Sequence, residues 1–203
     1  AFHNYRGKVA ARYNGYLDTY YTGRRPTSIM MPNFRNVYDQ NMPFKRVYQV
    51  HFSASRTSWG RETDGDQFGA AYKEAQSVPG EWSIYMMMQG ETVPKEENHV
   101  RLSKDQTDEW GIPQLITSIG YDANDELVMK DFHEQGVEML EKAGCYDIRA
   151  WDTGQAPGLD IHEMGGVRMG KDPSTSLLNE WNQLHHCKNV FVTDGAAMTS
   201  TGN

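Results

Sequence analysis

The sequence predicts an α+β fold, a mostly antiparallel sheet with helices packed on one face, and two observations carry that reading. Short β-rich runs separated by polar, glycine-bearing turns follow one another from about residue 46 to 118, and one long helical stripe then covers 123–143. A sheet with one apolar face needs a second layer, and an amphipathic helix supplies it. The 203 residues suffice for one domain with a real core, or one domain and part of another.

The elements follow in order. Residues 1–45 are rich in Tyr, Arg, Asn, Gly and Pro and sustain no helical stripe, so they are expected as loops lying against other structure or over a site. The Tyr and Arg side chains of 5–25 are equally suited to lining a sugar or polyol site and to a solvated surface. "FKRVYQVHFSAS" alternates and predicts a strand over 46–53, and a short helix is expected near Ala70 to Ala75. "EWSIYMMMQGE", "NHVRLS" and "PQLITSIGY" read as three further strands, the last two joined by the hairpin chemistry of "KDQTDEWGI".

The best helix runs from Ala123 to Ala143. Asp122 or Asn124 can cap its start, Asp125 and Glu126 suit the positive end of its dipole, and Gly144 follows as a C-terminal cap. Val128, Phe132, Gly136, Met139, Leu140 and Ala143 share one face. "CYDIRAW" then reads as a short strand. After Trp151 the texture becomes glycine-rich loop, expected to be largely extended, until "NVFVTDGA" supplies a short apolar strand ending in Asp-Gly.

Composition excludes several classes. A formal charge of −7 with no block of basic residues argues against nucleic acid, and no apolar run approaches the length of a membrane span. Cys145 and Cys187 fit no ligand spacing and read as free thiols that set no compartment. "HHC" at 185–187 has poor spacing and no fourth ligand nearby, so no metal is expected, and "MMM" at 86–88 reads as core. The chain opens at Ala1 without an initiator Met or a signal-peptide pattern and stops at "GAAMTSTGN" without a closing helix; both ends read as cut, and a fragment is expected.

The chemistry concentrates in "IHEMGGVRMGKDP", an imidazole set beside permissive backbone. From His162 onward the chain resembles the glucose–methanol–choline (GMC) oxidoreductases, flavoenzymes that oxidise alcohol groups with FAD. Their H-x-x-G-[TG]-x-R-M-G stretch is matched by His162, Gly165, Gly166, Arg168, Met169 and Gly170, and the following D-P by Asp172 and Pro173. Their N-[LV]-[FY]-V-x-D-[GA]-[SA] strand is matched by Asn189 to Ala196, and "NHVRLSKDQTDEWGIP" is similar to their N-x-V-x-L, aspartate, G-x-P run. The resemblance therefore covers Asn98 to the end. Gly166 stands where many members have Thr, Ala196 where Ser is commoner, and the N-terminal G-x-G-x-x-G fingerprint is absent from these residues.

The resemblance implies two regions: residues 1–152 as a substrate-binding domain, and 153–203 as an incomplete C-terminal return segment of the FAD-binding domain. It implies oxidation of an alcohol group of a sugar, polyol or sugar acid. His162 is then the base that takes the hydroxyl proton, a role suited to a neutral imidazole. Asn203 is the second catalytic residue or lies just before it. Gly165 and Gly166 would let backbone N–H groups approach the flavin, and Asp194, Gly195 and Ala196 would form a second FAD contact unless Asp194 merely caps a turn. Arg168 reads as a loop clamp, and His3 resembles a histidine that follows the flavin domain in the family.

FAD belongs to the intact enzyme and is not expected bound to this chain alone. The partners implied are a small alcohol or sugar substrate and the missing N-terminal flavin domain, with self-association through surfaces left exposed. The alternative is a non-catalytic α+β module that binds a carbohydrate or a protein; a phosphate-binding loop upstream of Ala1 would discriminate the two.

Overall fold

The computed structural model describes residues 1–16, 28–38, 41–56, 68–77, 80–159 and 161–201. In chain order the elements are β1 (His3–Asn4), β2 (Gly7–Tyr13), β3 (Ile29–Met31), β4 (Tyr48–Arg56), α1 (Ala70–Ser77), β5 (Trp82–Glu91), β6 (His99–Thr107), β7 (Pro113–Ser118), α2 (Ala123–Lys142), β8 (Tyr146–Asp152), β9 (Gln183–Leu184) and β10 (Cys187–Phe191), with a 3₁₀ turn at Gly195–Ala197. Six strands form one antiparallel sheet in the order β3-β4-β5-β2-β8, with β1 pairing the far end of β5. The α+β class follows directly.

Alternation along the strands separates two faces. Val9 and Ala11 of β2, Tyr48 and Val50 of β4, and Met86 and Met88 of β5 point to one side and form the core with Val128, Met129, Phe132 and Leu140 of α2. The triple methionine is thus half core: Met87 faces the other way, opposite Lys8 and His51. The second face is mixed: Gln49, His51 and Gln89 form a polar cluster toward the β1 end, beside Met87, Tyr85 and Trp151.

α2 begins and ends as its sequence dictates. Of the two candidate caps it is Asp122 that serves, its carboxylate accepting from the N–H groups of Asn124 (2.9 Å) and Asp125 (3.2 Å), while the Asp125 carboxylate accepts from Asp122 N–H at 2.9 Å. Gly144, at φ +78°, closes the far end: its N–H reaches the Glu141 carbonyl, and Cys145 N–H reaches that of Leu140. Val128, Phe132, Gly136 and Leu140 are buried as expected, and Met139 packs partly buried against the core. Ala143 is exposed instead, because it is the C-cap and the chain turns away there.

Burial pushes the Asp125 carboxyl up to about 6. The folded chain therefore holds this proton more tightly than the unfolded one. The resulting stabilisation is fully present below about pH 4 and is lost as pH rises through about 6. Asp125→Asn keeps the acceptor for Asp122 N–H without the charge. Its stability relative to the unsubstituted chain is expected to improve by up to about 3 kcal/mol between pH 4 and 7. Urea titrations across that range check it, and parallel pH profiles would refute it.

Two glycines set how closely α2 approaches β2. A Cβ at Gly136 would lie 2.9 Å from Val9 Cγ2, and one at Gly7 would lie 2.8 Å from Phe132 Cδ1. Val9 is β-branched and fully buried, so it has little room to yield. Gly136→Ala should lower unfolding free energy by about 1–3 kcal/mol despite the better helix propensity of alanine. A denaturation midpoint at or above that of the parent would show that the helix can shift outward freely.

Two expectations need correction. The first 45 residues are not simply loops: they hold β1, β3 and the interior strand β2. The segment GKVAARY hides its alternation because its inward residues are small, as the close helix requires. Second, β6 and β7 do not join the main sheet. They pair with each other as a separate two-stranded ribbon, interrupted between Leu102 and Thr107, and leave Val100, Leu102, Trp110, Ile112 and Leu115 exposed. Beyond Asp152, the described residues contain only the β9–β10 hairpin and the 3₁₀ turn as regular structure, and the strand expected over 189–196 ends at Phe191.

Candidate functional site

The loop bearing His162 is tied to the start of the chain. Met164 N–H donates to the Ala1 carbonyl at 2.8 Å, and the Ala1 amine donates to the Met164 carbonyl at 2.9 Å. Because β1 pairs the end of β5, this tie carries His162 to the rim of the second sheet face. There the His162 ring meets His3 edge-on, centroids 5.1 Å apart, and its Nδ1 lies 3.3 Å from Tyr5 Oη.

His3 is buried and anchored inward. Its Nε2 accepts from the Gln89 amide at 3.3 Å, and Gln89 Oε1 in turn accepts from Gln49 Nε2 and His51 Nε2, both at 2.8 Å. Burial holds the His3 imidazole below the ordinary histidine value, opposed by the Gly90 backbone. A neutral His3 therefore stands between His162 and a row of polar side chains on β4 and β5. Further along the rim, Ser200 Oγ donates to Glu91, which also lies 3.5 Å from Arg46. The C-terminal stretch thus returns to the end of β5 that carries His3. Asn203 lies outside the described residues, as do positions 17–27 of the Tyr- and Arg-rich start.

The two glycine-bearing motifs lie side by side. Gly165, Val167 and Met169 N–H donate to the carbonyls of Gly195 (3.2 Å), Ala196 (2.9 Å) and Ala197 (3.1 Å), a three-rung ladder. Asp194 caps the 3₁₀ turn by accepting from Ala196 N–H at 3.0 Å, the bland role weighed for it from sequence. Gly165 needs its glycine, at φ +94° with the Met198 carbonyl 3.3 Å from where a Cβ would be. Gly195 is tightly packed too: a Cβ there would sit 3.1 Å from the Glu163 carbonyl and would push the flexible Met164 side chain aside.

Gly166 differs, for a Cβ there would meet nothing within 4 Å. Nothing in this chain's packing asks for glycine at 166, and the residue is exposed. Gly165 spends its N–H on the ladder, so the open backbone expected at both glycines narrows to Gly166. Both line an open cleft of about 320 Å³ with Arg168 and residues 173–177. Arg168 donates to the Thr175 carbonyl at 3.1 Å and acts as the loop clamp expected of it.

Among the described residues no group of three or more His, Cys, Asp or Glu side chains converges. His185 ties its loop together, bonding Ser176 Oγ and the Gly170 carbonyl. Cys145 and Cys187 are free thiols, and among the described residues no helix is long and apolar enough to cross a membrane.

Sequence reasoning missed Gln49, His51 and Gln89, and weighed Tyr5 only as one of the Tyr and Arg side chains of 5–25, without its contact to His162. The signal for the first three was present, since they are polar residues at alternate positions of strands whose other positions are apolar. No local pattern marks Tyr5.

Comparison with known proteins places these residues in context. The family model for GMC oxidoreductase matches residues 94–203. Paromamine 6'-oxidase of Streptomyces fradiae is 34% identical over 109 residues, 54% of this chain and 20% of its own length. The 2-methyl-1,2-propanediol dehydrogenase of Mycolicibacterium austroafricanum is 32% identical over 120 residues, 59% of this chain and 21% of its own. The fructose dehydrogenase large subunit of Gluconobacter japonicus is 30% identical over 112 residues, 55% of this chain and 20% of its own. The matched part spans about a fifth of the length of these relatives.

Proposed function

Since the chain belongs to the GMC oxidoreductase family, we propose that it is part of an FAD-dependent enzyme that oxidises an alcohol group of a sugar or polyol. Residues 1–152 form its substrate-binding side, and 153–203 belong to its flavin-binding side. The relatives are named for paromamine, 2-methyl-1,2-propanediol and fructose. The second sheet face, with its cluster of Gln49, His51 and Gln89, is chemically suited to hydroxyl groups, whose donors and acceptors amides and imidazoles match.

The observation that supports the reading is the pair of hydrogen bonds between Met164 and Ala1, which holds His162 against His3 at the rim of that face while the ladder joins its loop to the second motif. Gly166, with its open Cβ side, fits close approach of a cofactor's edge, and the turn capped by Asp194 would support a second contact. Bound FAD would take the two electrons that leave the carbon with its hydrogen. His162 takes the hydroxyl proton: the substrate O–H breaks and an N–H forms on the imidazole. The ring lies on a loop tied to the sheet at Ala1, so its position is fixed relative to the polar cluster. Exposed Leu159, Ile161, Trp181 and Phe191 would be covered by the rest of the flavin domain. The 203-residue chain alone would purify without FAD, because a fraction of a dinucleotide site cannot hold the whole ligand.

The test uses the full-length protein. Purified, it should show a flavin absorbance band. Anaerobic mixing with a panel of aldoses, ketoses, glycosides, polyols and simple alcohols should bleach that band with at least one sugar or polyol. A colourless full-length protein, or a flavin that only simple monoalcohols bleach, would overturn the reading.

A further inference from the structure

We propose that Tyr5 is a positioning residue that holds the His162 ring with its hydrogen on Nδ1, so that Nε2 is the basic nitrogen. The inference rests on the reading of His162 as the proton acceptor. A neutral imidazole has one N–H and one lone-pair nitrogen, and the hydrogen bond made by one decides the role of the other. Here Nδ1 faces Tyr5 Oη at 3.3 Å. Among the described residues no hydrogen bond engages Nε2. The nitrogen left to meet a substrate hydroxyl is therefore Nε2, and it can act as a base only if the proton resides on Nδ1. The phenol oxygen accepts that Nδ1–H through a lone pair.

The surroundings of Tyr5 suit it to this task. It sits between β1 and β2, both of which pair with β5, so backbone ladders hold the residue from both sides. Its neighbour Arg6 is fixed as well: Arg6 N–H donates to Asn4 Oδ1 at 3.2 Å, and its guanidinium reaches Glu126 and Asp152 and lies 4.3 Å over the Tyr121 ring. His3 packs edge-on against both Tyr5 and His162, with centroids 5.4 and 5.1 Å away, and hinders rotation of the His162 ring. His3 does not engage Nδ1: its own Nε2 is bonded to Gln89, and no hydrogen bond joins the two imidazoles. The contact at 3.3 Å is at the long edge of a hydrogen bond, as catalytic contacts often are before substrate binds.

The experiment reads the tautomer directly. The 203-residue chain is labelled with ¹⁵N, and the imidazole nitrogens are observed through long-range proton–nitrogen correlation at a pH where the ring is neutral. His162 is assigned by its loss in His162→Gln. The expected spectrum shows protonated Nδ1 and unprotonated Nε2, and Tyr5→Phe should abolish that preference while the other histidine signals stay in place. A protonated Nε2 in the unsubstituted chain overturns the proposal whatever the variant does, and so does an unchanged His162 signal in a folded Tyr5→Phe. In the full-length protein, Tyr5→Phe should slow flavin reduction with flavin content unchanged. If His162 proves not to be the base, that appears as normal flavin reduction in His162→Ala, an outcome separate from the tautomer.

Discussion

In the full-length protein, His162→Ala is expected to slow flavin reduction by about 10²–10⁴ and to leave flavin content unchanged. Removing a general base takes away the group that accepts the proton as the bond to hydrogen breaks, and water in the vacated space is a weaker and less well placed acceptor. The side chain touches Tyr5 and His3, not the ladder that joins the two glycine motifs, so truncation leaves that ladder intact. Asp194→Ala makes the complementary change: it removes the acceptor for Ala196 N–H and loosens the 3₁₀ turn. Flavin occupancy should then fall first, with activity following it. Single-turnover reduction and the flavin-to-protein absorbance ratio, measured on both variants, separate the roles. Wild-type reduction rates in His162→Ala would make the histidine structural.

The largest stability loss is expected at Asp131. Its carboxylate lies on the buried side of α2 and accepts from Arg35 Nε (2.9 Å), Arg35 Nη2 (2.6 Å) and Tyr48 Oη (2.7 Å). Burial pushes the Tyr48 hydroxyl well above the ordinary tyrosine value, so it remains a donor at any working pH. Asp131→Ala would strand a fully buried phenol and a mostly buried guanidinium without their acceptor. Breaking such a network by removing one partner costs about 3–5 kcal/mol. Urea denaturation of the 203-residue chain measures it, and a loss below about 1 kcal/mol would show that water replaces the carboxylate. Asp131→Leu combined with Arg35→Met should cost less than Asp131→Ala, because no charge is left buried alone.

How much of this was legible in the sequence depended on whether the signal was local. α2 was readable to its caps because Asp122, the 3.6-residue stripe and Gly144 act within one turn of where they stand. β4 was readable from alternation, and β5 as a β-rich run between turns. β2 was not, since its apolar positions are small for a reason far away in the chain, the approach of Gly136 to Val9 and of Phe132 to Gly7. The separation of β6 and β7 from the main sheet was likewise invisible, because strand propensity does not say which partner a strand will choose. At the site, the glycine motifs and His162 stood out as a family pattern. Tyr5 could not, for its contact with His162 spans 157 residues and depends on β1 being carried to the end of β5.

The ladder between 165–169 and 195–197 also decides where the chain can tolerate a change of length. Its register is set rung by rung, so one residue inserted between Gly165 and Met169 would displace every N–H that follows from its acceptor carbonyl. The stretch from Lys171 to Phe191 enters no rung; it bonds back to Arg168 and Gly170 through Leu178 and His185 and turns at the β9–β10 hairpin. It behaves as a spacer, and growth at its turn near His186 would leave the paired motifs facing each other as before. Related chains should therefore differ freely in the interval separating the two motifs while keeping the interval within each of them constant.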